Sequence, residues 1–202
     1  MSVSYKNLGQ EIQSEIYHSR QRVRLSAVQP VIMWAPAQGR WFKKGKMDIS
    51  LKQISTEDEI KHLWKMQICA FSDLLSKYKD FETSPGAESL ENVIQKYNQP
   101  WTKYYFILEG DTIVGAVRVI DKKDGSRKRI SPIFIMKEFR GNGYAQKAII
   151  ELEKLYGGNN WSLATILQEK GNIHLYEKLG YHKTGETEKI NDLMDITFFE
   201  KN

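Results

Sequence analysis

Apolar residues fall into regular rhythms only after Asp48. The stretch "ISLKQI", residues 49–54, alternates as a strand does. From Ser55 to Tyr78 the spacing turns helical, with Ile60, Leu63, Trp64, Phe71, Leu74, Leu75 and Tyr78 on one face. Thr56 and Glu59 have the form of a capping box, and Asp58 and Glu59 suit the positive end of the helix dipole. A turn through Pro85 and Gly86 leads to a shorter helix carrying Leu90, Val93, Ile94 and Tyr97, which Pro100 stops. Two strands, "KYYFILEG" and "TIVGAVRVIDK", then meet in a tight hairpin at Gly110 and Asp111.

After the polar turn "KDGSRK" comes the strand "RISPIFIM", whose Pro132 cannot donate to a ladder and predicts an unpaired side there. A glycine-containing loop follows, and then a helix with Ala145, Ala148, Ile149, Leu152 and Tyr156 at helical spacing. The strand "WSLATIL", the short helix "NIHLYEKL" stopped by Gly180, and the strand pair "YHKTGETE" and "MDITFFEK" close the chain. The order β-α-α-β-β-β-α-β-α-β-β predicts a mixed α/β fold: a mostly antiparallel sheet with a central β-α-β crossover and helices on its faces. Residues 47–202 are expected to form that domain. Residues 1–46, with a patchy helical signal at Leu8, Ile12 and Ile16, are expected to be an extension of another character.

Charge sharpens this division. The chain carries +5 overall, yet residues 1–46 hold eight Lys or Arg against two Glu, so the remainder is slightly negative. A pI near 9.1 is therefore a property of the extension, and nucleic acid is disfavoured as a partner of the main domain. No apolar run approaches membrane-spanning length. The N-terminus lacks the apolar middle of a secretory signal, and Cys69 is the single cysteine, which together predict a reducing, cytoplasmic setting.

The loop after the Pro132 strand invites a chemical reading. Gly141 and Gly143 stand one residue apart after Arg140 and just before a helix. A helix start exposes unpaired N–H groups at the positive end of the dipole, and glycine lets an anion come close to the backbone. The nucleoside-triphosphate pattern G-x-x-x-x-G-K-[ST] is absent, and the dinucleotide fingerprint fails because Gln146 stands where its third glycine is needed. Arg-x-x-Gly-x-Ala remains, at Arg140, Gly143 and Ala145, as either a phosphate cradle or a plain glycine turn.

This loop, between a strand and a helix, resembles the pyrophosphate loop of the GNAT superfamily of N-acetyltransferases. A second stretch agrees: Leu175, Tyr176, Glu177, Lys178, Gly180 and Tyr181 resemble the family's Leu-Tyr-Glu-Lys-x-Gly-Phe/Tyr segment. The resemblance covers about residues 48–202 and implies a GNAT-like acyl-CoA N-acyltransferase fold, with acetyl-CoA as acetyl donor.

By position, the resemblance implies main-chain contacts to the donor from Ile133, Phe134 and Ile135, at the splay between two central strands. Arg140, Gly141, Asn142, Gly143, Tyr144 and Ala145 would hold the pyrophosphate. A strand N–H near Ile135 would stabilise charge on the thioester oxygen. Tyr176 would serve as the acid for the departing thiolate, unless it only packs. The family often has asparagine seven positions before that tyrosine, where Glu169 stands here; Asn172 is the nearest asparagine, as a cofactor contact or a helix cap.

The implied reaction is direct acetyl transfer to a primary amine of a small molecule or peptide. A free alkyl amine titrates near about 10, so it must lose a proton before it attacks. No base can be named from the residues, although Glu109 ends a strand that often borders the acceptor site. His18, His62, His174 and His182 lack metal-ligand spacing, so no metal is expected. Cys69 reads as a structural thiol, and Trp101 and Phe106 as core or pocket wall. Residues 56–99 hold eight acidic residues against five lysines, a balance that suits a cationic acceptor or an ordinary solvated surface. A homodimer is allowed. The alternative function is a coenzyme A-binding regulatory protein, or an RNA- or ribosome-associated one using Arg20, Arg22, Arg24, Lys43, Lys44, Lys46, Trp34 and Trp41. A natural start at Met47 would remove that arm.

Overall fold

In the computed structural model the described residues are 48–202, which form one compact unit. The helical signal, the basic arm and the Met47 start all concern residues outside that span. The elements are β1 (Ile49–Gln53), α1 (Glu57–Tyr78), α2 (Leu90–Tyr97), β2 (Thr102–Glu109), β3 (Thr112–Ile120), β4 (Lys128–Ile135), α3 (Tyr144–Tyr156), β5 (Trp161–Ile166), α4 (Lys170–Lys178), β6 (His182–Asn191) and β7 (Met194–Lys201). Short 3-10 turns occupy Pro85–Ala87 and Lys137–Phe139. The order is the one the apolar rhythm predicts.

One seven-stranded sheet runs β1-β2-β3-β4-β5-β7-β6. All of its pairings are antiparallel except β4 with β5, which the α3 crossover makes parallel. On one face, α1 and α2 cover a core of Ile60, Leu63, Met66, Ala70 and Val93 against Tyr104, Phe106, Ala116 and Phe134. The other direction of the β3–β4 pleat carries buried Val117, Val119 and Ile130, while α3 buries Ala148, Ile149 and Leu152.

Local chemistry fixes the ends of α1. The Thr56 hydroxyl accepts from the Glu59 N–H at 3.2 Å, and the Glu59 carboxylate accepts from the Thr56 N–H at 3.3 Å, so the predicted capping box is present. The apolar face of α1 is broader than its spacing suggested. Gln67, only 1% exposed, is tolerated there because its amide donates to Pro85 O at 3.0 Å and to Glu88 Oε2 at 2.9 Å. Phe106 is core as expected, whereas Trp101 is 41% exposed and lies outside it. Cys69 is half-buried on α1, with its thiol pushed up by burial, as suits a structural residue. No helix among the described residues is long and apolar enough to cross a membrane.

Strand β4 has two unlike edges. Its β3 edge is paired at both ends of the strand, Ile135 to Gly115 and Arg129 to Ile120, with one irregularity opposite Arg118. Its β5 edge is paired only from Lys128↔Trp161 to Ile130↔Leu163. Beyond Ile130, where Pro132 stands, no strand among the described residues faces β4 on that side, as the proline predicted.

Candidate active site

Alternation along β4 decides what that open edge presents. Met136 N–H donates to Val114 O of β3 at 2.9 Å, and Phe134 lies opposite Ala116. The main-chain groups of Phe134 and Met136 therefore turn toward β3, and those of Ile133 and Ile135 turn toward the open edge. Ile135 O is already taken, accepting from Arg140 Nε at 3.1 Å. The remaining open-edge donors and acceptors suit an extended ligand lying alongside β4 as a strand would. Phe134 contributes differently from its neighbours, since its ring packs edge-on against Phe71 in the α1 core.

The open edge leads into the glycine loop. Gly141 and Gly143 have φ of +80° and +75°, and a Cβ built on either meets no protein atom within 4 Å. Positive φ accounts for glycine there, and the open space leaves the backbone approachable. Around the loop, Arg140 N–H donates to Lys137 O and Lys147 N–H to Gly143 O. Among the described residues, the amides of 141–146 between them have no main-chain acceptor. Asn142 turns its side chain back onto Phe139 O at 3.1 Å and shapes the bend. Arg140 also has a structural duty: besides Ile135 O, its guanidinium donates to Ala70 O of α1 at 2.7 Å. Tyr144 is buried, and its hydroxyl donates to the Glu109 carboxylate, which occupies that acid on the α3 side.

A cleft of about 280 Å³ opens where β4 and β5 part. Its walls are Arg129–Ile133 of β4, Ala164–Ile166 of β5, Phe71, Leu74 and Tyr78 of α1, and Asp80 with Thr83–Pro85 of the following loop. Asn172 and Tyr176 of α4 and Met194 and Ile196 of β7 complete them. Tyr176 is held by edge contact with Tyr181 and a tilted contact with Phe199, and burial pushes its hydroxyl up to about 12. Asn172 Nδ2 donates to Thr165 Oγ1 at 3.2 Å, tying α4 to β5 inside the cleft.

The fold has known counterparts. An acetyltransferase of Salmonella typhimurium that modifies the N-terminal serine of a 50S ribosomal subunit protein matches with a TM-score of 0.59 at 15% identity, over 75% of this chain and 92% of its own. The spermidine/spermine N-acetyltransferase SpeG of Vibrio cholerae matches with a TM-score of 0.54 at 15% identity, over 75% and 90%. The Microcin C7 self-immunity acetyltransferase MccE, solved with acetyl-CoA and AMP, matches with a TM-score of 0.56 at 15% identity, also over 75% and 90%. At such identity these likenesses show the fold. No curated protein matches the chain. The sequence profile of the Acetyltransferase (GNAT) family matches residues 69–181. The chain belongs to that family.

As a GNAT enzyme it is an acetyltransferase, with acetyl-CoA as the acetyl donor. The residues fit that donor: free loop amides beside unobstructed glycines suit a diphosphate, and the open edge of β4 suits an extended amide-containing arm. Where the family often has asparagine, Glu169 accepts from Lys77 Nζ at 2.7 Å and Tyr78 Oη at 2.6 Å. Those hydrogen bonds hold its carboxyl below the usual range, and they join the end of α1 to the start of α4. Most of the wall residues escaped the sequence reading. Tyr78 was legible only as a core position, Asp80 follows the end of a helix, and Arg129 sits at a strand start with no motif around it.

Proposed function

We propose that this GNAT enzyme acetylates a primary amine of a small molecule or peptide by direct transfer, with the amine seated in the cleft beside β4. The observation that carries this reading is the meeting of three features at one place: the half-open β4 edge, the glycine loop at its end and Tyr176 across from it. Bound acetyl-CoA supplies an activated acetyl thioester. The Ile135 N–H lies on the open edge and is placed to donate to oxygen charge that develops there. Tyr176 keeps its proton through the physiological range, since burial pushes its hydroxyl up to about 12. A thiol titrates near about 8.5, so this phenol is the weaker acid. Tyr176 therefore assists the departing sulfur as a hydrogen-bond donor rather than by giving up its proton outright.

Direct transfer is favoured because Cys69 is not among the cleft walls. Among the described residues lining the cleft, Asp80 is the one carboxylate and there is no histidine. Asp80 is occupied by its own loop, accepting from Glu82 N, Thr83 N and Thr83 Oγ1 at 3.2, 2.8 and 2.6 Å. Among the described residues lining the cleft no side chain is thus poised as base, and solvent takes the amine proton. Two of the structural counterparts act on acceptors as different as a protein N-terminus and spermidine or spermine, which supports amine chemistry without choosing its carrier.

The deciding experiment incubates the enzyme with isotopically labelled acetyl-CoA and an amine and peptide library, with products read by mass spectrometry. Labelled N-acetyl products, formed in step with free coenzyme A, are expected. Tight acetyl-CoA binding with no labelled product would count against the reading.

A further inference from the structure

The cleft reaches both sides of the sheet, and the two sides differ in chemistry. Side chains alternate between the faces along β5 and β7. Trp161 packs edge-on against Tyr156 of α3, Thr165 accepts from Asn172 of α4, and Phe199, opposite Leu163, touches Tyr176. Ala164 and Ile166, with their partners Phe198 and Ile196, therefore point to the other face, the one that α1 covers. Met194 shares that face, two residues before Ile196, and its partner Asn191 donates from its side chain to Tyr78 O of α1 at 3.0 Å.

On the α3–α4 side the cleft presents Tyr176, Asn172 and Thr165. On the α1 side its wall is Phe71, Leu74, Ala164, Ile166, Met194 and Ile196, all of them apolar. The polar groups of that side are engaged within the protein. Tyr78 Oη donates to Glu169 at 2.6 Å, Asp80 accepts from Thr83 N and Thr83 Oγ1 at 2.8 and 2.6 Å, and Ser84 Oγ accepts from Gly86 N at 3.2 Å. Carboxylates close by are paired as well, Glu169 with Lys77 and Asp73 with Lys137. A second ammonium group placed against this wall would lose water and gain no carboxylate, whereas an apolar group there gains by burial.

The donor's arm does not account for this surface, since it lies along β4 while Met194 and Ile196 stand two strands over. The wall nevertheless begins beside the thioester. Phe71 packs against Phe134, the neighbour of Ile135, and Leu74 follows on α1 after about one turn, roughly 5 Å. Tyr176 serves the departing sulfur from the α3–α4 side, which leaves the α1 side for the incoming amine.

Resting on the acetyltransferase reading, we infer that the acceptor is a primary amine whose body next to the reacting nitrogen is apolar, an alkyl or aryl group packed against Leu74, Ile166 and Ile196, with no second positive charge. A small apolar amine and a peptide with an apolar first residue both carry this chemistry. A polyamine does not.

The test uses near-isosteric pairs on the full chain. Hexylamine is set against 1,5-diaminopentane, which has an ammonium in place of a methyl, and tripeptides beginning with leucine are set against the same ones beginning with asparagine. Turnover is read as kcat/KM by coenzyme A release, and binding by calorimetry on protein saturated with coenzyme A. The apolar member of at least one pair is expected to be preferred by about 10-fold or more, and the pair that shows it identifies small amine or peptide. Leu74→Asp should shrink that preference by about 10- to 100-fold, and Ile196→Thr, which keeps the branched shape, by about 3- to 10-fold, with thermal midpoints confirming folding. Equal use of both members or preference for the polar one in both pairs, a loss equal on both members in a folded variant, or no binding of either apolar acceptor overturns the inference. Apolar acceptors that bind and respond to both variants but are not acetylated would instead leave it standing and overturn the acetyltransferase reading.

Discussion

The two edges of β4 are made by one stretch of chain and do opposite things. Toward β3, packing is so close that a Cβ on Gly115 would collide with the carbonyl oxygen of Phe134. Toward β5, pairing stops at Ile130, and the loop that follows leaves open space around Gly141 and Gly143. Glycine therefore has two meanings within thirty residues of sequence (room denied on one edge, room kept on the other). A sheet that zipped both edges would be a better-bonded protein with no site. The main-chain groups of the open edge that no described residue meets are the structural cost of the place proposed for the donor.

Tyr176→Phe probes the open edge most strongly. With the hydroxyl gone and the ring contacts to Tyr181 and Phe199 kept, kcat is expected to fall roughly 100-fold with little change in KM for acetyl-CoA. Steady-state kinetics with the acceptor at saturation checks it, and full turnover would return Tyr176 to a packing role. Gly141→Val comes next. At φ +80° a β-branched side chain strains the loop and projects into the space proposed for the diphosphate, so acetyl-CoA affinity should fall by about 10- to 100-fold. Calorimetry measures this, with the thermal midpoint as a control for folding.

Gly115→Ala is the mirror experiment on the closed edge. The added methyl must displace backbone of β4, at a cost of about 1–3 kcal/mol in stability. Denaturant unfolding should show that loss. If Gly115→Ala left stability alone, or Gly141→Val left affinity alone, the contrast between the edges would not hold.

These contrasts were unevenly legible in the amino-acid sequence. Regular packing could be read because it repeats: the apolar rhythm of α3, the Thr56–Glu59 cap and the hairpin at Gly110 and Asp111 each follow from neighbours in sequence. The loop was readable for the same reason, since its glycines, its helix and its strand are contiguous. Pro132 even announced the open edge. The cleft was not readable, because its walls come from β4, β5, β7, α1, α4 and a loop, and no periodicity links Asp80, Arg129 and Met194. The side chains that hold those walls together are equally scattered. Glu169 could be noticed only as a departure from the family's asparagine, and nothing in the sequence paired it with Tyr78, ninety-one residues away. Tyr144 likewise removed Glu109 from the list of bases through a contact no spacing rule foretells.

Arg140 sharpens the comparison from a third side, because it patches the open edge where it ends. It donates to Ile135 O and to Ala70 O, so it pins α1 to the last residue of β4. Arg140→Met should cost about 1–2 kcal/mol of stability, and it should weaken acetyl-CoA binding through loss of loop position as well as charge. Arg140→Lys, which keeps the charge but cannot span both carbonyls with a planar fork, separates these effects: binding that stays weak in the lysine variant assigns the defect to position.

The smallest effect expected is the most specific to the walls. Glu169 is held below the usual carboxylate range first by the hydrogen bond from Lys77 and then by that from Tyr78. A carboxylate whose pKa is depressed on folding adds stability that is fully present above its unfolded pKa, near 4.5, and is lost as pH falls through the folded value. Thermal midpoints of wild type and Glu169→Gln should therefore differ at pH 7 and converge as the pH drops below about 4. Glu59 titrates in the same acid range, held down to about 2 chiefly by Lys52, but it is common to both proteins and cancels in the difference. A constant gap across that range would mean that the α1–α4 tie is not electrostatic. The far wall of the open edge would then be held by the packing of Tyr78 alone.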